Sequence, residues 1–272
     1  MIVFNCYIRW NVSPEIFSVG QLNIRYYGML MIVAFVMSSL VFYRILKHEG
    51  ESLFLLPVTV NTVFLGTLTG ARLGECLFYF PEYYLKNPLE IIVPFHDGEY
   101  TGIGGLSSHG AAFAILIFLF FTAKTVKKPP LWLIDRVCIT IPLAAFFIRI
   151  GNLINSEILG TATSVPWGFI FETRGEDFPR HPVQLYEAVC YLTVFFVIYR
   201  FYCKKQNKIR QGTILGLFLI LIFFSRFILE IFKAPISEFD NHSFFSTGQY
   251  LSLFFGFAGV ALLASLFQSE NK

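Results

Sequence analysis

Two arginines stand inside stretches that otherwise read as membrane-spanning. Arg149 follows the apolar run 139–148, and Arg226 follows the run 214–225. A guanidinium keeps its charge, and placing it in hydrocarbon costs at least about 2.5–3.5 kcal/mol on insertion scales. An anion or a wet cavity must offset that cost, and a phospholipid phosphate is the obvious anion. The densest polar run begins at the first of these arginines: Arg149-Ile-Gly-Asn152-Leu-Ile-Asn155-Ser-Glu157. On a helix, Arg149, Asn152 and Ser156 share a face, and Gly151 lets a backbone or ligand come close. Arginine presents a planar fork of donors suited to two phosphate oxygens, and asparagine adds a neutral donor. The plainer alternative is an interhelical hydrogen-bond cluster that only holds a bundle together.

Other polar groups allow two readings. Arg226 and Glu230 are spaced i, i+4 and could neutralise each other, as could Arg72 and Glu75. Asp135–Arg136 reads as a solvated or interfacial boundary pair. His109 lies in a small-residue turn, Gly104-Gly-Leu-Ser-Ser-His109-Gly110. Imidazole is the side chain whose ordinary pKa suits proton transfer near neutrality. A second polar entrance runs Arg180-His181-Pro-Val-Gln184-Leu-Tyr186-Glu187, where His181 is expected to cap or orient rather than react.

The elements that must position these groups are membrane helices. Hydrophobic residues make up 55% of the 272, charged residues only 14%, and mean hydropathy is +0.62. A soluble domain carries about 25% charged residues, so a bilayer is the expected solvent. A net charge of +3 does not suggest a nucleic-acid partner. The five cysteines are scattered, with no CxxC and no His/Cys cluster, so neither a disulfide framework nor a metal site is expected. The first residues lack a basic start followed by an apolar core, and we expect no cleaved signal peptide.

A helix needs about 20 mostly apolar residues to cross a bilayer. Seven stretches qualify: 26–46, 53–80, 107–126, 131–155, 182–203, 211–232 and 247–267. The fold expected is an all-α integral membrane protein, a single polytopic domain of seven transmembrane helices with sizeable outer loops. One set of connections holds eleven Lys and Arg: Arg44, Lys47, Lys124, Lys127, Lys128, Arg200, Lys204, Lys205, Lys208, Arg210 and Lys272. The opposite set holds five: Arg9, Lys86, Arg174, Arg180 and Lys233. The positive-inside rule then puts the N-terminus outside and the C-terminus in the cytoplasm. From the ~1.5 Å rise per residue, Arg149 lies roughly 27 Å along the fourth span and Arg226 about 22 Å along the sixth. Arg72, Tyr27, His109, Gln184, Tyr186 and Glu187 fall at the same outer level by the same count.

These segments together resemble prolipoprotein diacylglyceryl transferase, a bacterial family that lipidates lipoprotein precursors. Its hallmark, Gly-Arg-x-Gly-Asn-x-x-Asn-x-Glu-x-x-Gly, is met from Arg149 to Gly160 through Gly151, Asn152, Asn155 and Glu157. Further matches are Tyr26-Tyr27-Gly28, Gly70-Ala-Arg72-Leu-Gly74, Gly105-Leu-Ser107-Ser-His109-Gly110, Arg180-His-Pro182-Val-Gln184-Leu-Tyr186-Glu187 and Arg226-Phe-Ile-Leu-Glu230. They keep the family's order along nearly the whole chain. Departures are Ile148 and Ser156 for glycines, Leu159 for an aromatic, Thr161 for an arginine, and Ser108 and Ala111 beside His109. Ile222 stands where some members have tyrosine.

The resemblance implies transfer of a diacylglyceryl group from phosphatidylglycerol to the lipobox cysteine thiol that follows a prolipoprotein's signal peptide. The product is a thioether, and glycerol phosphate leaves. It implies a multi-pass protein of the bacterial cytoplasmic (inner) membrane, with its active site toward the periplasm and no cofactor or metal. His109, Arg149 and Arg226 are the implied catalytic residues. Tyr27, Arg72, Asn152, Asn155 and Glu157 are implied in substrate binding, as are Gln184, Tyr186, Glu187 and Glu230, and Arg149 and Arg226 are implied there as well. The chemistry is coherent: a thiolate is the nucleophile, a base such as His109 could generate it, and arginines would stabilise the departing phosphate. The rival readings are a lipid or organic-anion carrier without chemistry, and a seven-helix receptor. A retinal protein needs a lysine in its last span, and 247–267 has none.

Overall fold

The computed structural model describes residues 7–19, 22–92, 95–96, 99–100, 107–205, 208–235 and 244–268. Helices dominate: α1 (Tyr26–Glu49), α2 (Leu55–Gly74), the short α3 (Pro81–Lys86), α4 (Ser108–Thr125), α5 (Pro130–Ile154), α6 (Val183–Lys205), α7 (Thr213–Leu229) and α8 (Thr247–Gln268). Six of the described helices are long and apolar enough to cross a membrane: α1, α4, α5, α6, α7 with its 3-10 extension to Phe232, and α8.

The second expected span forms α2, followed by a π-helical turn over Glu75–Tyr79. It falls outside those six because Thr59, Asn61, Thr62, Thr67, Thr69 and Arg72 dilute its apolar residues. Its threonines largely satisfy themselves. Thr62, Thr67 and Thr69 each donate to the carbonyl four residues back, at 2.8, 2.7 and 2.6 Å.

Packing divides the chain into two units, Met1–Val41 with Asp135–Lys272, and Phe42–Ile134. In the second unit α2 lies against α4. Gly66, Gly70 and Gly74 form a small-residue stripe that meets Ile115, Ala111 and Gly110 backbone atoms. Such stripes let membrane helices approach closely. Thr62 and Thr122 add a hydroxyl pair at 2.9 Å across the same seam. Ser107 caps α4 by accepting from Gly110 N at 3.3 Å, and His109 sits exposed in that first turn.

In the first unit α7 packs on α8, where Gly216 and Gly259 bring the backbones together. Asp135 corrects one expectation. It is not a solvated partner of Arg136 but 0% exposed, and it accepts from Gly212 N at 2.7 Å and Leu215 N at 2.8 Å. These are otherwise orphaned donors at the N-terminus of α7, so the carboxylate caps a distant helix.

The connections also carry short strands that hydropathy did not announce. β1 (Ile8–Trp10) runs parallel to β6 (Phe169–Phe171), and β2 (Glu15–Val19) pairs antiparallel with β3 (Leu22–Arg25). β4 (Phe95–His96) pairs antiparallel with β5 (Glu99–Tyr100). Phe169 and Phe171 pack on Leu153 with Trp10, and the Trp10 indole donates to Leu153 O at 3.1 Å. That contact fixes the end of α5, where the polar run begins its exit from the helix.

Candidate active site

The site grows from the last two turns of α5. Arg149 and Asn152 lie one turn apart, as the helical spacing requires, and Arg149 Nη1 donates to Asn152 Oδ1 at 3.2 Å. The helix stops at Ile154. Ser156 and Ile158 then take φ of +52° and +57°, a region that non-glycine residues enter at a cost. Ser156 therefore leaves the arginine face, contrary to the helical projection, and its hydroxyl pairs with Thr173 at 2.8 Å.

The sharp exit folds Glu157 back over the helix end. Its Oε1 accepts from Asn152 Nδ2 at 2.9 Å and Asn155 Nδ2 at 3.2 Å. Gln184, at the start of α6, donates Nε2 to the Glu157 carbonyl at 2.7 Å. A carboxylate and a carbonyl only accept, so each amide must turn its nitrogen toward Glu157. Asn155 Oδ1 and Gln184 Oε1 are thereby left buried without a hydrogen-bond partner among the described residues.

Three turns of α6 complete the charge arrangement. Glu187 is 0% exposed, and its Oε2 forms an ion pair with Arg149 Nε at 2.9 Å. Its Oε1 faces Lys233 Nζ at 2.9 Å and receives a long hydrogen bond from Tyr191 at 3.4 Å. The Arg149 guanidinium lies over the Tyr191 ring, 5.9 Å from its centroid. Lys233 also pairs with Glu230 Oε2 at 2.9 Å. Arg226 is within electrostatic reach of Tyr191, while its Nε is buried with no hydrogen-bond partner among the described residues.

Tyr27, at the start of α1, reaches the same place. Gly151 leaves the room for it: a Cβ there would lie 2.7 Å from the tyrosine ring. The phenol is within electrostatic reach of both Glu157 and Arg149. Tyr186 belongs to an adjoining cluster. It accepts from the Trp167 indole at 2.8 Å and its oxygen is 3.2 Å from His181 Nδ1. Burial pushes the His181 pKa below its ordinary value. Phe232 packs edge-on against both rings.

The structure thus gathers Tyr27, Arg149, Asn152, Asn155, Glu157, Gln184 and Glu187 directly, with Glu230 joined through Lys233. Arg72 and His109 belong to the other packing unit. There Arg72 donates Nε to Ile91 O at 3.0 Å and Nη2 to Glu90 O at 2.7 Å, and lies over the Tyr84 ring. Lys233 and Tyr191 are the residues sequence reasoning passed over. Lys233 counted only as an outer-loop cation, although its place three residues after Glu230 was a usable signal.

The sequence profile described as prolipoprotein diacylglyceryl transferase matches residues 14–265. A relative from Tolumonas auensis, named phosphatidylglycerol–prolipoprotein diacylglyceryl transferase, is 38% identical over 255 residues, 93% of this chain and 95% of its own. Proteins of the same name from Chloroherpeton thalassium and Bacteroides fragilis are each 38% identical. They cover 98% and 93% of this chain, and 96% and 93% of their own lengths. With the hallmark residues converging on one buried cluster and the match running the length of the chain, this protein belongs to the prolipoprotein diacylglyceryl transferase family.

Proposed function

We propose that this protein transfers the diacylglyceryl group of phosphatidylglycerol to the thiol of a prolipoprotein's lipobox cysteine. The thiolate attacks the glycerol methylene that bears the phosphate ester. A C–S bond forms, the C–O bond breaks, its electron pair goes to the phosphate oxygen, and glycerol phosphate departs. The thiol proton goes to a base.

The observation that carries the reading is a contrast between the two arginines. Arg149 is held by Glu187 and Asn152, whereas Arg226 keeps a buried Nε without a partner among the described residues. A buried unpaired donor on a charged group is costly and is suited to an anion. In this scheme both arginines hold the phosphate and stabilise charge developing on the leaving oxygen. The unpartnered acceptors Asn155 Oδ1 and Gln184 Oε1 suit the hydroxyls of the headgroup glycerol. Tyr27 closes the site beside Gly151, Tyr186 is set by Trp167 and His181, and Glu230 acts through Lys233. Arg72 orders the loop at 90–91 and binds lipid from there. His109 takes the thiol proton.

In this reading α2 is the seventh span, the N-terminus and the site lie on the periplasmic side of the inner membrane, and the C-terminus is cytoplasmic. Purified protein should lipidate a lipobox peptide in vesicles containing phosphatidylglycerol. It should leave the peptide unmodified in vesicles of phosphatidylethanolamine alone. Peptide that stays unmodified in both sets of vesicles would refute the activity.

A further inference from the structure

Lys233 follows the last turn of the α7 extension, yet its side chain is only 7% exposed. A buried ammonium demands compensation, and two carboxylates supply it: Glu187 Oε1 and Glu230 Oε2, each at 2.9 Å. The backbone around it is held to the loop after the polar run. Thr161 N donates to Phe232 O at 2.8 Å, Ala234 N donates to Leu159 O at 3.1 Å, and Gly160 forms a bridge with Lys233. Glu230 is fixed in turn by α8, because its carboxylate fills the space where any side chain at Gly248 would begin. The ammonium therefore has a set position rather than a wandering surface one.

Its consequence falls on Arg149. Glu187 touches Lys233 with one oxygen and Arg149 with the other. Without the lysine, that buried carboxylate would direct its whole charge at the guanidinium and cancel its attraction for a second anion. With the lysine, the charge is shared and the carboxylate plane is pinned at its far oxygen. Arg149 then presents a fixed Nε edge to Glu187 and keeps positive potential for a headgroup.

We propose that Lys233 is a positioning residue for Arg149, acting through Glu187 to maintain the affinity of the site for an anionic phospholipid headgroup. This rests on the reading that Arg149 binds the lipid phosphate. Substitution should therefore weaken lipid use more than turnover.

The test is steady-state transfer to a lipobox peptide by purified full-length protein, with phosphatidylglycerol varied in mixed vesicles. Lys233→Met should raise the KM for phosphatidylglycerol at least tenfold while kcat stays within threefold. Lys233→Arg, which keeps the charge, should stay within threefold of the parent in both. Lys233→Gln keeps N–H donors for both carboxylates and serves if the Met variant does not accumulate; it should show the same rise in KM. An unchanged KM in the neutral variants, or a fall in kcat with KM unchanged, overturns the proposal. A parent protein that transfers nothing sinks the functional reading and this inference with it, whereas an active parent beside indifferent Lys233 variants sinks this inference alone.

Discussion

Arg149 Nε and Glu187 Oε2 stand 2.9 Å apart, joining the end of α5 to the second turn of α6. The glutamate is fully buried and the arginine nearly so. Removing Glu187 would leave the guanidinium without its carboxylate, which costs far more than the pair itself contributes, whereas removing Arg149 leaves Glu187 on Lys233. The same contact leaves the guanidinium oriented, with a second nitrogen on Asn152.

Arg149→Ala should abolish transfer, and Arg149→Lys should retain less than about a tenth of it. Lysine keeps the charge but cannot engage Glu187, Asn152 and a phosphate from one planar fork. Labelled-lipid transfer by the purified variants decides this, and near-normal activity of the Lys variant would reject planar phosphate binding.

Arg226→Gln should fold and yet transfer nothing. Glu230 is paired with Lys233, so loss of Arg226 does not strand that carboxylate. A variant with parental thermal stability and parental activity would show that Arg226 is no part of the site.

Much of this cluster was legible because helical spacing converts directly into contacts. The i, i+3 relation of Arg149 and Asn152 became a hydrogen bond, and the apolar runs marked six helices within a few residues of their ends. What failed to read out depends on chain reversals. Ser156 leaves the helical face through a positive φ that no periodicity announces. Asp135 looked like a partner of its neighbour Arg136, but its hydrogen bonds reach across to the start of α7. Lys233 meets Glu187 only because the segment after α7 is tied to the loop after α5.

Asp135→Ala should lower thermal stability. Loss of a helix cap costs about 0.5–2 kcal/mol, and the buried Gly212 N–H and the part-buried Leu215 N–H would lose their acceptor. Detergent-phase unfolding should show a lower Tm for this variant. An unchanged Tm would mean that α7 is anchored by its packing on its neighbouring helices rather than by this cap.

His181 predicts an acid-side effect. Burial lowers its pKa in the folded protein, so the unfolded chain takes up a proton more readily. Its cost is absent above the ordinary imidazole pKa and appears as pH falls below about 6.5. The loss of stability between pH 7 and pH 5 should be smaller in His181→Asn than in the parent, and equal losses would contradict this.

His109→Gln should slow transfer strongly at neutral pH while phosphatidylglycerol binding persists. A free thiol has a pKa of about 8.5, so raising the assay pH should recover part of the rate as solvent supplies thiolate. Full activity at neutral pH, or loss of lipid binding, would remove His109 as the base.

In the proposed reaction an intact diacylglyceryl group moves to the lipobox cysteine as glycerol phosphate leaves. The most direct measurement uses phosphatidylglycerol carrying one label in its acyl chains and another in its headgroup glycerol. Acyl label should appear on the peptide and headgroup label as free glycerol phosphate, in equal amounts. A peptide with serine in place of the cysteine should take up neither label. Lipid that binds while both labels stay together would rule out transfer and leave a carrier in its place.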